Sequence, residues 1–169
     1  CARVFALLLG ALVLSACSGS SVSEVADLRD SLIQSGQEVL PALAADLRGE
    51  LGPTAEVRDQ TTPLDIPSGI HGNLTMKAVV EGSPLDDAEL LDALAAQGFN
   101  ERTHTQDGWA YATDKDGYKL SIDVHNEDPG NPYSIITLTS PRFELHSEAA
   151  NEAKEAGLIG TTEEVSFGP

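Results

Sequence analysis

Hydrophobic positions along this chain follow two periods, and the change from one to the other marks out its elements. Val25, Leu28, Leu32, Val39, Leu43, Leu47 and Leu51 recur at spacings of three, four or seven. That is one apolar stripe of a long helix. Ser21 and Glu24 supply a capping box at its start. Gly36 falls on the stripe and permits a close approach to a sheet. Pro41 sits inside the stripe, where a proline kinks or breaks a helix. One kinked helix and two helices divided near Gly36 both satisfy the pattern. Gly52-Pro53 ends the element.

The period then becomes two. Thr54 to Asp59 reads as a short strand, and Gln60 to Gly72, with Pro63, Pro67, Gly69 and Gly72, as a loop. Leu74, Met76, Ala78 and Val80 alternate as in a half-buried strand. Ser83-Pro84 predicts a helix start, with Ser83 as N-cap and Pro84 at the first helical position. Asp86, Asp87 and Glu89 then lie where the helix dipole favours negative charge. Leu85, Ala88, Leu91, Leu94 and Ala95 form the expected buried face. Gly98 stops the helix and Phe99 folds back on it.

The next forty residues read as a meander. Strands are predicted at Phe99 to Thr105, Trp109 to Thr113, Tyr118 to His125 and Tyr133 to Thr139. The turns are Gln106-Asp107-Gly108, Asp114-Lys115-Asp116-Gly117 and the acidic loop Asn126 to Pro132. Tyr133 to Thr139 is the most apolar and is expected at the sheet centre. Ser147 to Ala156 predicts a short surface helix ended by Gly157, and the last ten residues read as frayed. Such tight turns join antiparallel strands. The expectation is an α+β fold: an antiparallel sheet of about five strands with two main helices packed on one face. The α+β domain spans 23–146, and 147–169 forms a short helix and tail.

The first twenty residues follow another logic. Arg3 supplies a positive charge, Val4 to Leu14 is an unbroken run of apolar residues and glycine, and Leu14-Ser15-Ala16-Cys17 follows. Eleven residues span about 16 Å as a helix, roughly half a hydrocarbon core, which disfavours a transmembrane span. The segment has the parts of an export signal, and its last four residues resemble the lipobox of bacterial lipoproteins. The resemblance implies a signal peptide over 1–16, a diacylglyceryl thioether on Cys17, and residues 17–22 as lipidated cysteine plus spacer. It also implies a bilayer as partner, through the Cys17 anchor, and a place on the extracytoplasmic side of the cell membrane. Two acyl chains hold a protein firmly where one does so marginally. Cys1 leaves with the signal, so no free thiol remains.

Charge narrows the partners. The chain carries 27 Asp and Glu against 10 Lys and Arg, a formal charge of −17. This excess argues against nucleic acid, whose binding rests on phosphate neutralisation. It also argues against lying flat on anionic lipid. Acidic, Ala- and Leu-rich, Lys-poor composition behind such a signal resembles the small lipoproteins of high-GC actinobacteria.

Candidate chemistry is sparse. Asp123 and His125 share one face of a strand, and His104 lies on a neighbouring one; carboxylate and imidazole suit zinc. A solvated strand face explains the same residues. Asp114-Lys115-Asp116-Gly117 starts like a calcium loop, but Tyr118 and His125 stand where oxygen ligands are required. Asn126, Glu127, Asp128 and Asn131 form a second oxygen-rich loop. Ser68 near His71 lacks the strand-to-helix elbow of a nucleophile, and no phosphate loop is present. Trp109, Tyr111, Tyr118 and Tyr133 pack either as cross-strand pairs or as a stacking platform for a ligand. No cofactor is implied. The reading is a non-catalytic binding or accessory module of the cell envelope, taking an envelope protein or a small ligand. A small metal-dependent or acid/base hydrolase is the alternative.

Overall fold

The computed structural model describes residues 19–64, 69–82, 85–127 and 130–167. Within them the helical stripe forms one uninterrupted helix, α1 (Val22–Asp46). Ser21 caps it: its Oγ accepts from the Glu24 amide at 3.2 Å, and Glu24 Oε2 accepts from the Ser21 amide at 2.5 Å. Pro41 lies inside α1 without ending it. The carbonyl it leaves without a donor belongs to Gln37, which is exposed, so the loss falls on the wet side. The helix stops at Asp46, and Leu51 belongs to a short strand, β1 (Glu50–Leu51).

The remaining elements are β2 (Thr54–Leu64), β3 (Gly69–Glu81), α2 (Asp87–Ala96), β4 (Glu101–Gln106), β5 (Trp109–Thr113), β6 (Lys119–His125), β7 (Tyr133–Thr139), β8 (Phe143–His146), α3 (Ser147–Glu155) and β9 (Thr162–Ser166). Strands run in the order β4-β5-β6-β7-β3-β2-β9, with β1 and β8 both pairing β3. Every pairing is antiparallel. The α+β class and the central place of β7 agree with the sequence pattern. The sheet, however, has nine strands among the described residues instead of about five.

The extra strands are β1, β8 and β9, and a segment read as a loop lengthens two others. Gln60 to Gly72 is mostly the end of a long β2–β3 hairpin: Gln60↔Asn73 through Leu64↔Gly69 are in register. β9 covers β2 only from Thr54 to Arg58. Pro63 therefore sits on a free edge, where a missing N–H costs no ladder bond. β8 pairs the other side of that arm, with Phe143 opposite Gly72. Thr162 to Ser166 are not frayed: β9 pairs β2, and Val165 is buried.

The second helix is capped later than expected. Asp86 is its N-cap, accepting from the Glu89 amide at 2.9 Å, while Glu89 Oε2 accepts from the Asp86 amide at 3.2 Å. Ser83 and Pro84 lie outside the described residues. The buried face is Leu90, Ala93 and Leu94, and Ala88 and Ala95 are exposed, contrary to the expected face. The helix end is as expected: Gly98 takes φ +87°, and the Phe99 amide donates to the Leu94 carbonyl at 3.1 Å.

One core lies between the three helices and one face of the sheet. Leu32, Leu40 and Leu43 of α1 and Leu90 and Leu94 of α2 meet Leu74, Met76, Leu120, Ile122, Ile136 and Leu138, all fully buried. Gly36 gives α1 its close approach, because a Cβ there would collide with Met76 Sδ. Arg29, 7% exposed, ties α1 to the C-terminal segment. Its guanidinium donates to the Leu158 carbonyl at 3.2 Å and pairs with Glu163 at 2.9 Å. No described helix is long and apolar enough to cross a membrane.

Candidate functional site

Strand alternation leaves the second face of the sheet without a helical cover. On β5, β6 and β7 the inward residues are Ala110, Ala112, Leu120, Ile122, Ile136 and Leu138. Their neighbours Trp109, Tyr111, Ser121, Asp123, Ile135 and Thr137 must project from the other side. On β2 and β3 the same rule sends Arg58, Gln60, Thr75 and Lys77 there.

Four strands, β4 to β7, gather rings on this face. His104 pairs with Tyr111, and Gln106 with Trp109. The Trp109 and Tyr111 rings lie 5.2 Å apart, with the His104 ring 5.4 Å from the first and 5.8 Å from the second. Lys119 Nζ stands 5.2 Å over Tyr111, a cation–π distance. The Asp107-Gly108 turn that aims Trp109 takes positive φ at both residues (+49° and +80°), as a two-residue hairpin requires. Tyr133 stacks on His125, centroids 4.7 Å apart and planes 8° from parallel.

Tyr118 is not part of this face. It packs against the core on the helical side, and its hydroxyl donates to Ser31 Oγ of α1 at 3.0 Å. The four aromatic candidates therefore divide three to one. The period of two explains it: Tyr118 shares a parity with Leu120 and Ile122.

Asp123 and His125 do approach, with Oδ2 and Nε2 at 3.4 Å. Nε2 of His125 is buried and makes no hydrogen bond. His104 does not join them. Its register carries it to Tyr111 and thence to Ser121, while His125 lies four residues further along β6 opposite Tyr133. Among the described residues no three His, Cys, Asp or Glu side chains are grouped to hold a metal ion.

The other candidates resolve into structure. Asp114 Oδ1 accepts from the amides of Asp116 and Tyr118, each at 2.9 Å. The carboxylate thus closes the hairpin turn. His71 lies within β3, opposite Thr62 and Glu144, and not in a loop. Ser68, Asp128 and Cys17 lie outside the described residues.

What the sequence reading missed is a groove on the open face, with a volume of about 190 Å³. Trp109 and Asp123 line one part and Arg58, Gln60 and Lys77 the other; Ser121, Ile135, Thr137 and Thr75 complete it. Arg58 lies 3.5 Å from Glu56, its neighbour two residues back on the same strand face. Lys77 is half-buried, and among the described residues its ammonium has no hydrogen-bond or ion-pair partner. The alternation of Ala55 and Val57 pointed Arg58 away from the core. Only the strand order β5-β6-β7-β3-β2 brings it to the groove of Trp109. A wider concavity of about 590 Å³, lined by Gln37, Pro41, Leu51, Gly52, Pro53 and Phe167, carries no charged side chain.

No family model, curated protein or solved structure matches this chain.

Proposed function

We propose that the chain is a membrane-anchored extracytoplasmic lipoprotein whose folded domain is a non-catalytic binding module of the cell envelope, working through its open sheet face. One observation carries the binding half of this reading. All three described helices pack on the same side of the sheet, and the other side keeps partly exposed aromatic rings and a charged groove. Burying that side as core would have required apolar residues where Arg58, Lys77, Ser121 and Asp123 stand. Open polar sheet faces need no partner, but a groove combining indole, cations and hydroxyls has the composition of a ligand site.

The anchoring half rests on Leu14-Ser15-Ala16-Cys17. The Ser20 amide donates to the Glu144 carbonyl of β8 at 2.6 Å. Three residues reach at most about 11 Å, so an acylated Cys17 would hold the β2–β3–β8 arm against the bilayer.

Two measurements test the two halves. Labelled palmitate should enter the wild-type chain in its host and not the Cys17→Ser variant; incorporation by both removes the lipobox reading. Crosslinked capture from host membranes should retain an envelope component with the wild type and lose it with Trp109→Ala. Equal capture by both removes the open face as the binding surface.

A further inference from the structure

The groove on the open face has a distribution of charge unlike the rest of the molecule. The chain has only ten Lys and Arg against 27 Asp and Glu. Three of those ten, Arg58, Lys77 and Lys119, project from this one face, and two line the groove. Lys77 is the informative one. The register sets it between Glu56 on β2 and Thr137 on β7, yet the Glu56 carboxylate turns to Arg58 instead. A half-buried ammonium is thus left facing a cavity.

The remaining lining fixes what kind of molecule would satisfy it. Trp109 offers a flat apolar surface of a kind that packs against the face of a ring. Beside it Asp123, about half exposed, offers acceptors; Ser121, Thr137 and Gln60 add hydroxyls and an amide. Acceptors and hydroxyls beside an indole suit a hydroxylated ring better than a bare aromatic one. The volume of about 190 Å³ is below the roughly 300–1,000 Å³ of drug-sized pockets, and suits one ring with one charged substituent.

Resting on the reading of this face as a binding surface, we propose that the groove binds an anionic sugar. Its carboxylate or phosphate lies between Arg58 and Lys77, and its ring lies on Trp109 with hydroxyls toward Asp123. The overall charge of −17 does not forbid this. At physiological salt, charges beyond about 8 Å are largely screened, so the balance is set locally: Glu56 offsets Arg58, Asp123 faces the ring hydroxyls, and Lys77 is the cation left for the anionic group.

Trp109 is the chain's single tryptophan, so its fluorescence reports on the groove alone. The full chain in detergent would be titrated with glucuronate, glucose 6-phosphate and neutral glucose. A saturable change with either anion and none with glucose at equal concentration is expected; which anion acts separates a carboxylated from a phosphorylated source. Lys77→Gln should weaken the response at least about tenfold, the scale of one charge-assisted hydrogen bond. Glu56→Gln, which frees Arg58, should strengthen it and guards against a Lys77 variant that fails to fold. No response to either anion, an equal response to glucose, or a response unchanged in both variants would overturn the assignment. A Trp109-dependent envelope partner captured despite such a failure would leave the open face standing as the binding surface, with a different ligand.

Discussion

Gly36→Ala opposes two effects of known size at one contact. In the interior of α1, alanine gains about 1 kcal/mol over glycine from helix propensity. Against that, the new methyl collides with Met76 Sδ, and lies 3.2 and 3.4 Å from Met76 Cε and Cγ. All three atoms belong to one flexible side chain, so no backbone need move. Met76 is nevertheless fully buried, between Val57 and Leu138 on the neighbouring strands, so turning it disturbs packed neighbours. Overpacking of this kind costs about 1–3 kcal/mol, so Gly36→Ala should be net destabilising by about 1 kcal/mol. Met76→Ala alone should cost about 2–5 kcal/mol as a cavity. Together they should be no worse than Met76→Ala alone, because the added methyl fills part of the cavity and the helix gain returns. Urea unfolding of the four proteins, at unchanged slope, gives this coupling directly. A stabilising Gly36→Ala, or strictly additive changes, would refute the close approach of helix and sheet.

Three further expectations follow from named contacts. Glu163→Ala leaves the Arg29 guanidinium with only the Leu158 carbonyl. Because Glu163 is 52% exposed, the cost should be about 1–2 kcal/mol in urea unfolding, below the roughly 3–5 of a fully buried pair. Asp114→Ala removes the carboxylate oxygen that accepts from two amides of the β5–β6 turn and should cost about 1–2 kcal/mol; calcium should leave the wild-type melting temperature unmoved. Deleting residues 161–169 strips β9 from β2 and uncovers Ala55 and Val57. The shortened chain should lose its cooperative transition or gain dimers by edge pairing, read by calorimetry and sedimentation.

Local signals were legible wherever chemistry acts over a few residues. The Ser21–Glu24 box, the Gly98–Phe99 helix end and the Asp107-Gly108 and Asp114–Gly117 turns stand in the fold as the pattern implied. Errors arose where the deciding partner was distant. Pro63 reads as a loop until one knows that β9 stops at Arg58 and leaves an edge. Thr162 to Ser166 carries little apolar signal because four of its five residues are exposed; a single buried Val165 and the β2 ladder hold it. Asp86 displaced Ser83 as cap because Glu89 answers it three residues later, a competition that the serine's neighbour Pro84 obscured. The groove was illegible for the same reason. Trp109 could be nominated from the meander, but Arg58 and Lys77 reach it only through a strand order that no local pattern encodes.

The salt bridge between Arg29 and Glu163 joins residues 134 positions apart, and β9 must find β2 across a similar stretch, Thr54 beside Ser166. A ribosome therefore delivers the first helix and the second strand long before it delivers what completes them. Contacts of such separation slow folding, since the intervening chain must be gathered before any of them forms. Until Thr162 to Ser166 emerge, the growing polypeptide has an uncovered edge on β2 and an Arg29 without its Glu163 partner. For the export proposed above, that delay would keep the chain threadable while β9 is still missing, and β9 would be the latch that closes after translocation.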